Sequence, residues 1–216
     1  MGTVPFALAR DFSDSPFPVT PVFGAKTAPW HDSYPAGIPP RIEYTPRRVE
    51  QLFQSAVERY PDRVAIRYFR TSYTYRELLD RIRQTAGALR ELGIGTGDRV
   101  MLILPNCPEF AITWFALHWL GAEVVPANPL MSAAELTGLA RKCGIQAVLG
   151  LDVRMKPVAE MACEVALKAV IVTSLAPHLP LAYRLPYQLQ KLVYGKPVAK
   201  RAAKQLTFKE LAGLGE

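Results

Sequence analysis

The chain has 216 residues, half of them hydrophobic, and carries a formal charge of +7. That is enough apolar material for one domain of generous size, or one domain plus an appendage. Cys107, Cys143 and Cys163 are widely spaced with no C-x-x-C pair, which argues against a disulfide framework or a zinc site and for a reducing compartment. The opening MGTVPFALARDFSDSP has no basic region followed by an unbroken apolar stretch, so no secretory signal is read there. The apolar run FAITWFALHWLGAEVVP is broken by His118, Gly121, Glu123 and Pro126. A spanning helix needs about 20 uninterrupted apolar residues, so a buried helix and a buried strand are expected instead, in a cytoplasmic protein. The positive charge is local. Between Glu164 and Glu210 no acidic residue occurs, while Lys168, Arg184, Lys191, Lys196, Lys200, Arg201, Lys204 and Lys209 all fall there.

Residues 1–45 are rich in proline, from Pro5 to Pro40, and carry Phe6, Phe12, Phe17, Phe23, Trp30 and Tyr34. Proline blocks regular ladders, so this is read as an extended arm. Its aromatics suggest an arm laid across a body or a partner. Residues 46–175 are read as an α/β domain: a parallel sheet with flanking helices. RRVEQLFQSAVERY puts Val49, Leu52, Phe53, Ala56 and Val57 on one helical face. Pro61 stops it, and Val64 to Phe69 follow as a strand. Thr74 three residues before Glu77 is a capping-box pattern opening a helix, with Gly93 placed as a left-handed C-cap.

The following segments alternate. Val100 to Leu104 form a strand too apolar to have a wet face. Asn106 with Glu109 is read as capping a helix that ends at Gly121, and EVVPA is the next strand. Ser132 with Glu135 opens a helix that Gly144 closes. QAVLG, a helix near Lys156 to Ala166, and the strand Ala169 to Thr173 complete the series. Such alternation predicts βαβ units and a parallel sheet with right-handed crossovers. Residues 176–216 are a basic linker segment, in which Leu185, Leu189, Leu192 and Val193 can share a helical face. The final LTFKELAG resembles a short strand and the start of another helix.

The glycine-rich LGIGTGDRV does not read as a phosphate cradle. A Walker loop runs strand, glycines, then Lys-Ser/Thr at a helix start, whereas here the order is helix, glycines, strand, followed by Asp98 and Arg99. A dinucleotide fingerprint fails for the same reason. Ligand-facing loops are sought instead at the carboxyl ends of the strands, in LPNCPEF and VPANPLMS, against the competing reading of ordinary capping. His31, His118 and His178 have no partner at a telling spacing. Glu77, Glu91, Glu109 and Glu135 are accounted for by capping or solvent. No catalytic residue and no metal ligand is assigned. The basic segment suits an anionic membrane surface or a solvated face, and no nucleic-acid motif accompanies it.

The run from YTYRELLDRIRQ to ANPLMSAAEL resembles the opening of the adenylate-forming, AMP-binding synthetases. It holds the helix ending L-x-x-x-G-[IV]-x-x-G-D-x-V, the strand ending P-N-x-P-E, and the G-A-x-x-x-P-x-N-P loop. Upstream, PWHDSYPAGIPPRIEY resembles the leader of long-chain fatty acid–CoA ligases, so the likeness covers about Trp30 to Thr173. The segment after Pro177 is similar to the linker these ligases carry before their phosphate loop. The resemblance implies ATP-dependent conversion of a fatty acid to an acyl-adenylate and transfer of the acyl group to coenzyme A, with Mg²⁺ required. That chemistry uses a Ser/Thr/Gly-rich loop ending Pro-Lys-Gly, a Thr-Glu pair for Mg²⁺, an Asp on the ribose and a C-terminal lysine. None is found in this sequence, so the chain is expected to be the N-terminal part of such a ligase and inactive alone. The resemblance also implies that Ala127, Asn128 and Pro129 border the coenzyme A side of the site. A fatty acid substrate, a homodimer and a peripheral membrane contact through residues 177–204 are the expected partners, without nucleic acid. The alternative is a non-catalytic module of the same family that docks on a membrane or a subunit.

Overall fold

A computed structural model describes Trp30, residues 33–38, 48–194 and 204–208, Glu210 and Leu211. The chain divides into two compact units, residues 1–47 and 48–216. In the first unit, a turn at residues 35–38 is closed by the Ile38 amide on the Pro35 carbonyl at 3.1 Å, with Gly37 at φ +90°. Apart from Trp30 and residues 33–38, the proline-rich arm lies outside the described residues.

The second unit opens with helix α1, Val49–Arg59. Its buried residues are Glu50, Phe53 and Val57, while Val49 and Leu52 stand exposed. The buried stripe is therefore rotated by one position from the apolar face read in the sequence. Two contacts explain this. Glu50 is paired with Arg48, which makes burial of its carboxylate tolerable. Phe53 packs on Phe115 with ring centroids 4.5 Å apart. A hairpin follows, formed by β1 (Val64–Tyr68) and β2 (Thr71–Thr74), antiparallel and separate from the main sheet. The second strand was not anticipated, because TSYT is short and merges directly into a helix cap. Phe69, expected to end the strand, instead takes the turn at φ +48°.

Helix α2 (Tyr75–Glu91) starts at the expected capping box. The Thr74 hydroxyl accepts the Glu77 amide, and the Glu77 carboxylate accepts the Thr74 amide at 2.8 Å. Past its end, Gly93 and Gly97 occupy left-handed conformations at φ +76° and +83°. The Asp98 carboxylate accepts the Gly95 amide at 2.9 Å and the Lys168 ammonium at 2.8 Å. The loop thus fills its own anion-binding capacity with its own aspartate, at the amino end of the strand it feeds.

Five parallel strands make the main sheet: β3 (Arg99–Ile103), β4 (Glu123–Pro126), β5 (Ala147–Leu151), β6 (Ala169–Thr173) and β7 (Lys204–Thr207), in the order β4-β3-β5-β6-β7. Helices α3 (Pro108–Leu120), α4 (Ala133–Cys143) and α5 (Met155–Glu164) connect them, and α6 (Leu181–Tyr194) precedes β7. Because side chains alternate along a strand, β3 contributes to two cores. Val100 and Leu102 join residues of α1, α2 and α3 on one face. Met101 and Ile103 join Leu136 and Ala140 of α4 and Val158 and Met161 of α5 on the other. The result is a three-layer α/β unit, as the alternation of segments predicted.

Two further local readings change. Helix α3 is not capped by Asn106 and Glu109: its N-cap is Cys107, with Pro108 in the first turn and no side-chain cap bond. Proline suits that turn because the position needs no amide donor, and Glu109 is freed to turn inward. In α6, Leu185, Leu189, Leu192 and Val193 do share a face, but that face is exposed.

Candidate functional site

An open parallel sheet binds ligands beyond the carboxyl ends of its strands, where successive connections leave in opposite directions. Here β3 connects to β4 on one side, and β4 then crosses to β5 on the other side of β3. The crevice therefore lies where β3 and β5 end, among the loops that follow β3, β4, β5 and β6.

The loop after β4 contains Ala127, Asn128 and Pro129. Ala127 is buried, and its amide extends the ladder to the Leu102 carbonyl at 2.9 Å. Asn128 folds the chain on itself, its Oδ1 accepting the Leu130 amide at 2.9 Å and its carbonyl accepting the Met131 amide at 3.1 Å. The Arg154 guanidinium holds the Pro129 carbonyl at 2.9 Å. Most polar backbone groups of the loop are thus already used. What it presents outward is the exposed Asn128 and the Leu130 side chain, which is 77% exposed. This is a rigid wall and not a charged cradle.

After β5 comes Asp152, buried at the start of a 3-10 turn, Asp152–Arg154. Its carboxylate accepts the Tyr187 hydroxyl and pairs with the Lys191 ammonium at 3.0 Å. The same Tyr187 oxygen accepts the Leu175 amide at 3.0 Å. Burial, and secondly the bond to Asp152, raise the Tyr187 pKa far above the ordinary phenol range. The phenol therefore stays a donor and anchors α6 across the carboxyl ends of β5 and β6.

After β6 comes His178, buried, with Nε2 2.6 Å from Glu109 Oε1 and Nδ1 2.8 Å from Thr71 Oγ1. The Tyr68 ring meets it edge-on at 5.7 Å. Hydroxyl, imidazole and carboxylate in a row is the arrangement of an activated nucleophile. Here the imidazole and carboxylate are both buried, so the row ties the β1–β2 hairpin to α3 and the β6–α6 loop. Next to it, burial above all pushes the Cys107 thiol up to about 12, with the Glu109 carboxylate adding to the shift. Such a thiol is no nucleophile near neutral pH.

Neither pair was legible in the order of residues. In the sequence His178 has no partner at a telling spacing and Glu109 reads as a cap; the two lie 69 positions apart. His118 does lie within an apolar helix, half-buried in α3, and burial lowers its pKa. Among the described residues no group of three or more His, Cys, Asp or Glu could hold a metal ion. A groove lined by Val57, Glu58, Arg76, Asp80 and Arg83 lies between α1 and α2, with charges of both signs. It shares no lining residue with the strand ends.

Fold and site together define an open α/β unit that offers shaped loops at the carboxyl ends of its strands. Residues 53–206 match the AMP-binding enzyme family, and the chain belongs to it. It is 27% identical over 161 residues to a long-chain-fatty-acid–CoA ligase of Bacillus subtilis, covering 74% of this chain and 29% of the relative. It is 31% identical over 157 residues to a long-chain-fatty-acid–CoA ligase of Escherichia coli, covering 71% and 28%. A shorter stretch of 78 residues is 41% identical to 4-coumarate–CoA ligase 2 of Oryza sativa, covering 36% and 14%. The fold is shared with a mutant form of coronafacic acid ligase from Pectobacterium brasiliense, with a TM-score of 0.61 at 19% identity over 77% of this chain and 29% of that one. A benzoate CoA ligase from Burkholderia xenovorans gives 0.53 at 22% identity over 70% and 29%. The chain thus spans less than a third of the length of these relatives.

Proposed function

We propose that the chain serves as the N-terminal part of an ATP-dependent long-chain fatty acid–CoA ligase. The observation that carries this reading is the continuous match to long-chain-fatty-acid–CoA ligases over 71–74% of the chain. In that reaction the fatty acid carboxylate attacks the ATP α-phosphate, pyrophosphate leaves, and the thiol of coenzyme A displaces AMP from the acyl-adenylate. ATP supplies the leaving group that a carboxylate lacks. This chain's own contribution is structural: the sheet ends form one wall of the site, and the loop at Ala127, Asn128 and Pro129 borders the coenzyme A side. Asn128 and the exposed Leu130 offer that side a rigid surface. No step is assigned to a side chain of the described residues.

The test is a graft. Residues 53–206 replace the matching segment of the E. coli ligase, and palmitoyl-CoA formation is measured with ATP, Mg²⁺ and coenzyme A. Retained formation is the expected result. A folded graft, monodisperse in sedimentation, that makes no palmitoyl-CoA would overturn the reading. The 216-residue chain alone is expected to release no pyrophosphate from ATP above a no-enzyme control. Homodimerisation is a separate proposal, read by sedimentation velocity.

A further inference from the structure

The tip of the β1–β2 hairpin combines backbone strain, an exposed ring and uncompensated charge. Phe69 and Arg70 are the two central residues of its loop, since Tyr68 pairs with Thr71 across it. Phe69 stands at φ +48°. The first central position of such a loop ordinarily takes glycine when its φ is positive, because a side chain there is strained. Phenylalanine is kept at this cost, and yet it is 58% exposed. Its ring is also braced. It meets the Tyr68 ring edge-on at 4.8 Å, and Tyr68 in turn meets the buried His178 edge-on at 5.7 Å. Strain that burial does not offset is a mark of a functional surface.

No Asp or Glu occurs between Asp62 and Glu77, while Arg63, Arg67, Arg70 and Arg76 do. Arg76 pairs with Asp62 at the root of the hairpin, and Arg63 lies over the Tyr60 ring. Arg67 and Arg70, nearer the tip, are exposed and have no carboxylate partner among the described residues. Arg67 stands directly across from the exposed Ser72. Side chains alternate along a strand, so this pair faces away from Tyr68 and Thr71, which meet His178. The Arg70 amide meets the His178 carbonyl at 3.5 Å, which sets the tip beside the loop that follows β6.

We propose that this tip binds a mononucleotide. The Phe69 ring stacks on the base, the Arg67 and Arg70 guanidiniums take the phosphate, and the Ser72 hydroxyl is a further donor. A flat ring braced by its neighbour offers a face that any base can cover, and guanidiniums meet phosphate through parallel, charge-assisted hydrogen bonds. An aliphatic anion would leave the ring unused, and an uncharged aromatic would leave the arginines unused. The site goes beyond the acyl-CoA ligase reading and stands without it.

Isothermal titration of the 216-residue chain with adenosine 5′-monophosphate is expected to show saturable binding that weakens as salt rises. Adenosine and ribose 5-phosphate, which lack the phosphate and the base respectively, should each bind at least ~10-fold more weakly. Phe69→Gly and the double variant Arg67→Gln, Arg70→Gln should show losses of the same size. Phe69→Gly should keep its Tm within about 4 °C of the parent, because relief of left-handed strain offsets the lost contact with Tyr68. Arg67→Gln alone, on the exposed face of the hairpin, serves if the double variant does not fold. A chain with no saturable uptake of the nucleotide would overturn the proposal, as would adenosine binding as tightly as its monophosphate, or folded variants that bind like the parent. Uptake of a single-stranded oligonucleotide without any of the mononucleotide would overturn it as well, and would assign the tip to a polynucleotide.

Discussion

Replacing His178 by alanine tests whether the buried row of side chains is a strut. The imidazole makes one bond to Glu109 at 2.6 Å and one to Thr71 at 2.8 Å, and it packs edge-on to Tyr68. Leaving the Glu109 oxygen buried without its partner costs ~1–3 kcal/mol. Thr71 is only half-buried and can turn to water, so its bond is worth ~0.5–1 kcal/mol. The lost ring contact adds ~0.5–1 kcal/mol. His178→Ala should therefore lower stability by ~3 kcal/mol. Urea unfolding followed by far-UV circular dichroism reads this as a lower midpoint at unchanged slope. Glu109→Leu should also destabilise, but the double variant should lose less than the two singles combined, with a coupling of ~1–3 kcal/mol. A loss below ~1 kcal/mol for His178→Ala, or strictly additive singles, would refute the strut.

Gly121 sits at φ +72°, and an added Cβ would stand 3.0 Å from Thr96 Oγ1. Gly121→Ala should cost ~1–2 kcal/mol in the same urea titration, from left-handed strain plus the displaced threonine. Burial opposes the charged form of Asp98, but its bonds from Lys168 and the Gly95 amide outweigh that and hold its carboxyl below the usual range. A depressed folded value stabilises above the unfolded carboxylate pKa, about 3.9, and that stability is lost as pH falls through the folded value. Lys168→Met should therefore cost ~1 kcal/mol at neutral pH, and the gap to the parent should close as pH drops below about 4. An undiminished gap at pH 2 would count against the pair. Iodoacetamide at pH 8 should label the exposed Cys163 and spare the buried Cys107, whose thiol is pushed up to about 12. Peptide mass mapping reads the difference, and equal labelling would refute the burial.

Elements with local causes were legible before any coordinates. Thr74 with Glu77 and Ser132 with Glu135 form both capping boxes as read. Gly121 and Gly144 end their helices in the left-handed region. The strands of the main sheet follow from short apolar runs between those signals. In the glycine loop the order helix, glycine, strand is legible in the sequence, and the loop amide of Gly95 is taken by Asp98. Where local signals compete, the structure differs: Asn106 offers a cap that Cys107 and Pro108 take, and α1 buries Glu50, paired with Arg48, beside the expected Phe53 and Val57 while Val49 and Leu52 stay exposed.

Periodicity, capping and turn chemistry act within a few residues, so the order of amino acids determined the layers and the direction of the sheet. It also determined that Leu185, Leu189 and Leu192 share one side of a helix. It did not determine which side of that helix faces the body. That choice was made by Asp152, 35 positions before Tyr187, just as the partners of His178 came from 69 and 107 positions away. A buried carboxylate must find donors wherever the folded chain brings them, and here that requirement turned Tyr187 of α6 inward and left its leucines out.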